Sequence, residues 1–287
     1  MDLYNISFDT EYLHNISIEN NTYGLEPYLS TTFFVTSCIV CSIGLPLTLL
    51  AIYALYSQVQ ENNVAPVYVI NLLISDLIQM CCFVIWVAQP KNLIMFVVSG
   101  IIHGFSLRAS VGFMVCVAME RYLVIACPLW YRFRRNIKIT LVVCFTVWVL
   151  PLILEIPSFF GFTLLHSDIT LSIYLLLPFP LLIFFLAGTL KALTSSISVP
   201  PEEKRRIVGT LVLVLLNYML LFLPSIIWYM SAAITKNSAF NYTLQIVFVQ
   251  FSPLMDLVLY IFMKKGAVDK LLGCLCRCRM TTEQEQG

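Results

Sequence analysis

The chain has 287 residues, 59% of them hydrophobic and only 11% charged, with a formal net charge of +1. An ordinary soluble domain carries about 25% charged residues, so a water-soluble fold is excluded because it could not hide this much apolar surface. The composition calls for a bilayer, no nucleic-acid partner is expected, and the thirteen prolines and eleven glycines suit helices in lipid.

Residues 1–28 are polar and acidic and contain no Lys or Arg, the wrong pattern for a cleavable signal peptide. They hold three sequons, at Asn5, Asn15 and Asn20, which predict an exported, glycosylated tail; Asn241 begins a further sequon. A helical span needs roughly 20 apolar residues to cross about 30 Å of hydrocarbon. Such runs fall at about 29–57, 64–89, 93–125, 137–160, 169–195, 204–231 and 240–263, a seven-helix all-α bundle over 29–263. Fourteen Lys and Arg residues then fall on one side if residue 1 lies outside the cell, against Lys91 and Lys236 opposite and Arg108 within the membrane. That asymmetry places the N-terminus outside, in the plasma membrane.

After the last run, residues 264–279 mix charged and apolar positions and carry Cys274, Cys276 and Cys278. An amphipathic helix on the inner leaflet, held by acylated cysteines, explains both features; a metal-ligand set is the rival reading. Residues 280–287 read as a disordered tail. The other seven cysteines lie in or beside apolar runs, so no disulfide framework is expected.

Ionisable groups inside a membrane are costly and default to functional hypotheses. They are Asp76, Arg108, Glu120, Arg121, Glu155 and Asp256, with His103 near the outer end of span three. Glu120-Arg121-Tyr122 closes that span, and Pro128-Leu129 follows the Arg by seven residues. Here the chain resembles the rhodopsin-like (class A) G-protein-coupled receptors. Asn71-Leu72-Leu73-Ile74-Ser75-Asp76, Trp148, the run from Tyr218 through Phe222 to Pro224, and Asp256-Leu257-Val258-Leu259-Tyr260 resemble further motifs of that family, in the same order. The short N-terminus, the short third cytoplasmic loop and the run Cys127-Pro128-Leu129-Trp130-Tyr131 are similar to Mas-related receptors, with nucleotide- and lipid-type receptors as neighbours.

The departures are specific. Thr48 stands where the family carries Asn, Leu257 replaces a proline, and Gly188 replaces a tyrosine of helix five. Phe96 occupies an outer cysteine position, so the usual outer disulfide is absent. Pro253, one turn before Leu257, can supply the kink.

Helix geometry adds a separate expectation. Ser110 and His103 precede Arg121 by 11 and 18 residues, which at about 100° per residue returns both to its face. The resemblance then makes Asp76, Ser110 and Ser252 candidates for a sodium pocket, with Asp256 a second acid; a proton or a plain polar network are alternatives. His103 and Gln250 are ligand-pocket candidates. Arg108 points about 140° away, toward Glu155, as a buried pair or an anion site. The resemblance implies an extracellular ligand (peptide, lipid or small anion), a resting Arg121–Glu120 pair, and a heterotrimeric G protein as partner. Coupling and switching would fall to Glu120, Arg121, Tyr122, Pro128, Leu129, Phe222, Pro224, Asp256 and Tyr260. The alternative is a non-coupling seven-span decoy or partner protein. Span seven has no Lys for a retinal Schiff base, no inverted repeat suggests a transporter, and nothing suggests an enzyme.

Overall fold

A computed structural model describes residues 31–60, 66–88, 92–127, 137–159, 173–195, 201–235 and 247–263. Among them lie seven α-helices: α1 (Thr31–Gln60), α2 (Pro66–Val87), α3 (Leu93–Ala126), α4 (Ile137–Phe159), α5 (Pro178–Ser195), α6 (Pro201–Thr235) and α7 (Ser252–Met263). Five stretches are long and apolar enough to cross a bilayer, and the shorter apolar stretches Lys138–Ile153 and Val247–Met263 complete a seven-helix bundle. The apolar character runs round most helices, as lipid on one side and protein on the other require. Tyr53, Phe145 and Leu50 are 75%, 70% and 63% exposed, positions that only a hydrocarbon medium makes favourable.

Helix α3 is the axis of the bundle. It packs against α2, α4, α5 and α6, and Ala109, Val111, Phe113, Met114, Val117 and Ala118 are wholly buried on it. Its start is fixed by Asn92, whose side chain accepts the backbone N–H of Ile94 at 3.0 Å. Close approach to α4 depends on Gly112: a Cβ there would lie 2.8 Å from Cγ1 of Val147. Small residues at such crossings are how helices gain contact in lipid, where the hydrophobic effect offers nothing.

Prolines set the breaks. One helical turn, residues 173–176, precedes a turn at Leu177, and α5 proper begins at Pro178; neither Pro178 nor Pro180 can donate a backbone hydrogen bond. In span seven the helix is interrupted at Phe251, whose N–H turns back to Phe248 O at 3.2 Å. Two residues later Pro253 has no N–H to give Val249, and the N–H groups of Leu254 and Met255 converge on Phe251 O, each at 3.1 Å. The kink lies where Pro253 predicts it. Helix α6 starts three residues before the predicted span, at Pro201, a residue type that suits a first turn.

The bundle closes between its first and last helices. Buried Gln250 donates from Nε2 to Ser37 Oγ at 2.6 Å and toward Phe33 O at 3.5 Å, and its Oε1 accepts from Thr36. Interhelical hydrogen bonds in membranes average about 0.6 kcal/mol and reach about 1.7. Gln250→Leu is therefore expected to cost roughly 1–3 kcal/mol, read as a lower thermal midpoint of the detergent-solubilised protein. An unchanged midpoint would show that this seam carries no weight.

Candidate functional site

Midway along the bundle, polar side chains from five helices meet in the buried interior. Asp76 of α2 and Asp256 of α7 are both wholly buried. Ser110 of α3 donates to Asp256 Oδ2 at 3.3 Å, and Asn217 of α6 donates from Nδ2 to Oδ1 of the same carboxylate at 2.8 Å. Gln79, one turn after Asp76, donates to Asp76 Oδ1 at 3.3 Å. Asp256 thus ties α3 and α6 to α7. Facing inward without a hydrogen-bond partner are Asp76 Oδ2, Gln79 Oε1, Asn217 Oδ1, Thr48 Oγ1 of α1 and Ser252 Oγ. Buried oxygens left this way in an apolar interior are costly. An all-oxygen set with two carboxylates is the donor chemistry of a hard cation.

One face of α3 carries this network at Ser110, His103 at one end and Arg121 at the other. At the latter end Arg121 lies 3.9 Å from Glu120 Oε2, with the arginine side chain 19% exposed and the glutamate 4%. Arg121 Nε has no hydrogen-bond partner. Tyr260 is half-buried and packs against the core. On α6, wholly buried Phe222 sits with its ring centroid 5.1 Å from that of Tyr218. Pro224 interrupts the hydrogen bonding of α6 two residues further on. Asn71 and Trp148, read separately from the sequence, touch: indole Nε1 donates to Asn71 Oδ1 at 2.9 Å and fixes α4 to α2.

At the other end His103 lies among aromatic rings. Its ring centroid is 5.0 Å from that of Trp86 and 5.3 Å from that of Phe83. Trp86 in turn contacts Phe33 and Phe96 and donates to Ser99 Oγ at 2.7 Å. The imidazole Nε2 has no hydrogen-bond partner. Arg108 is buried, and its backbone carbonyl accepts the Tyr174 hydroxyl at 2.8 Å, so that part of α3 faces the start of span five. Glu155 lies on α4, its side chain outside the described residues. Gln250 is buried with its amide engaged by α1 rather than turned toward His103. Outside the described residues lie Pro128, Leu129, Asn5, Asn15, Asn20, Asn241, Cys274, Cys276 and Cys278, and with them the tail 1–28 and segments 264–279 and 280–287.

Two members of the network were not expected from sequence, Gln79 and Asn217. The signal existed: each is a lone amide inside an apolar run, and polar groups there face the bundle interior.

Residues 48–169 match the family model of the 7 transmembrane receptor (rhodopsin family). The chain is similar to G-protein coupled receptor 68 of Homo sapiens, 25% identical over 88% of this chain and 79% of that protein. The Mus musculus counterpart is 26% identical with the same coverage. Type-1 angiotensin II receptor of Ovis aries is 27% identical over 46% of this chain and 37% of its own length. Seven apolar helices, an acid-bearing α2, Glu120-Arg121-Tyr122 in the last turns of α3 and these likenesses agree: the chain is a multi-pass membrane protein similar to the rhodopsin-like G-protein-coupled receptors.

Proposed function

We propose that this receptor stands in the plasma membrane with its N-terminus outside, binds an extracellular ligand at the His103 end of α3, and activates a heterotrimeric G protein at the Arg121 end. The observation that carries the reading is the continuity of one face of α3, from His103 through the Asp256 network at Ser110 to Arg121. A ligand that favours another arrangement of α6 and α7 shifts the population at the far end through that network. The proposed ligand site would draw on the aromatic rings of Phe83 and Trp86 and on His103 Nε2, a buried nitrogen without a hydrogen-bond partner, which suits a peptide, lipid or small anion with a polar head. The test is nucleotide exchange on a panel of purified heterotrimers by the reconstituted receptor. The probes are peptides (angiotensin II, named in one relative, among them), lysophospholipids and small carboxylates and phosphates. One pool is expected to raise exchange, and His103→Ala to weaken that response about tenfold, or 1.4 kcal/mol. Silence with every pool and every heterotrimer would favour a non-coupling decoy or partner protein, a reading that Gly188 and Leu257 prompt.

Asp76, Ser110 and Ser252, joined by Asp256, form the candidate sodium site of this receptor. Its support is the oxygen donor set and the inward-facing Asp76 Oδ2 and Ser252 Oγ. An ion held there stabilises the arrangement it binds. Replacing sodium chloride by choline chloride is then expected to raise basal exchange in the natural protein and not in Asp76→Asn. Equal responses in the two would remove the site.

A further inference from the structure

The tyrosine missing from α5 leaves a hole, and a ring from another helix fills it. A Cβ added at Gly188 would lie 2.6 Å from Cε2, 3.2 Å from Cδ2 and 3.4 Å from Cζ of Tyr122. The side walls are Phe184 and Phe185, whose ring centroids are 5.8 and 5.6 Å from that of Tyr122. Positions 184, 185 and 188 are one helical turn apart, so they form a single depression on α5 with glycine as its floor. The ring enters it from α3, one residue beyond Arg121. Any larger residue at 188 displaces it, and no flexible neighbour can give way because the atoms met are ring atoms.

We propose that Tyr122 is the aromatic restraint on the inner half of α5: its ring, seated on Gly188, holds that half against α3 while Arg121 stays beside Glu120. Tyr122 acts here as a positioning residue, through ring packing and not through its hydroxyl. Withdrawal of the ring is the step that frees α5 to move. The inference rests on the receptor reading only for its effect on coupling; the restraint itself is a property of the bundle.

The test is amide hydrogen exchange over residues 184–195 of the full chain in nanodiscs, beside basal nucleotide exchange on the same heterotrimer panel. Tyr122→Ala is expected to speed amide exchange there several-fold and to raise basal nucleotide exchange. Tyr122→Phe, which keeps the ring, should keep amide exchange over residues 184–195 as slow as in the natural protein. Gly188→Phe alone sets two rings in one space and is expected to lower the surface amount. Combining it with Tyr122→Ala returns one ring to the depression from the α5 side and should restore both surface amount and slow amide exchange. Amide exchange unchanged in Tyr122→Ala, or no rescue in the double variant, would overturn the proposal. If amide exchange responds as expected but no variant, and not the natural protein either, drives nucleotide exchange, the coupling reading fails and the restraint stands.

Discussion

Arg121→Ala is expected to leave the protein at the membrane and to remove the nucleotide exchange proposed for it. The structure separates the two effects. Arg121 reaches Glu120 only at 3.9 Å, with its side chain 19% exposed. A contact that long, with the arginine part-exposed, is looser than a close buried ion pair, and its loss is milder. Glu120 is buried and keeps other interactions when the guanidinium is gone. What alanine does remove is a planar, permanently charged donor set at the mouth of the bundle, with Nε still open to a partner. The measurement is surface amount by an N-terminal epitope against exchange on the heterotrimer panel. Near-natural surface amount with exchange at background is the expected result. Exchange undiminished in Arg121→Ala would end the proposed mechanism. Arg121→Lys should recover only part of the function, because an ammonium cannot reproduce the forked geometry.

Asp256→Ala is expected to fail at an earlier stage. Its carboxylate is the acceptor for Ser110 of α3 and Asn217 of α6, and all three residues are at most 1% exposed. Truncation deletes two ties between helices and strands two buried groups, each costing roughly 1–3 kcal/mol. The milder average for bonds within membranes, about 0.6 kcal/mol, reflects partners that reorganise in the unfolded bundle. Here the stranded groups lie in a folded interior, so the larger figure governs. A total of roughly 2–6 kcal/mol is comparable to the whole stability of many domains, and the surface amount should fall severalfold or more. Asp256→Asn distinguishes shape from charge. Its amide oxygen can accept from Asn217 and its NH2 can donate to the Ser110 hydroxyl, so surface amount should hold. Equal loss from both substitutions would mean that the negative charge, not the hydrogen bonds, holds the helices together.

How much of this was legible in the sequence follows from the range of each interaction. The seven spans and the break near Pro253 are written in local composition and helical period, and the structure places them accordingly. The convergence of Ser110 on Asp256, by contrast, joins positions 146 residues apart. Period gives a face but no partner, so Asn217 and Gln79 went unassigned although each is a lone amide in an apolar run. Gly188 shows the reverse difficulty. In one dimension it read as a lost tyrosine; the compensating ring at position 122 becomes visible only once α3 and α5 are side by side. Gln250 was a plausible pocket residue by position, and its engagement with Thr36 and Ser37 depends on how far α1 leans on α7.

The seam between α1 and α7 has a bearing on synthesis as well as on stability. Ser37 and Gln250 are 213 residues apart in the chain. At about 5–20 residues per second, the ribosome takes roughly 10–40 s to make the partner that the first helix needs. During that interval the hydroxyls of α1 can bond only to carbonyls of their own helix, as Thr36 does with Thr32 and Phe33. The bundle is joined last along this line. Substitutions there should send the chain to degradation before it reaches the cell surface, whereas those at Arg121 should be silent until a G protein arrives.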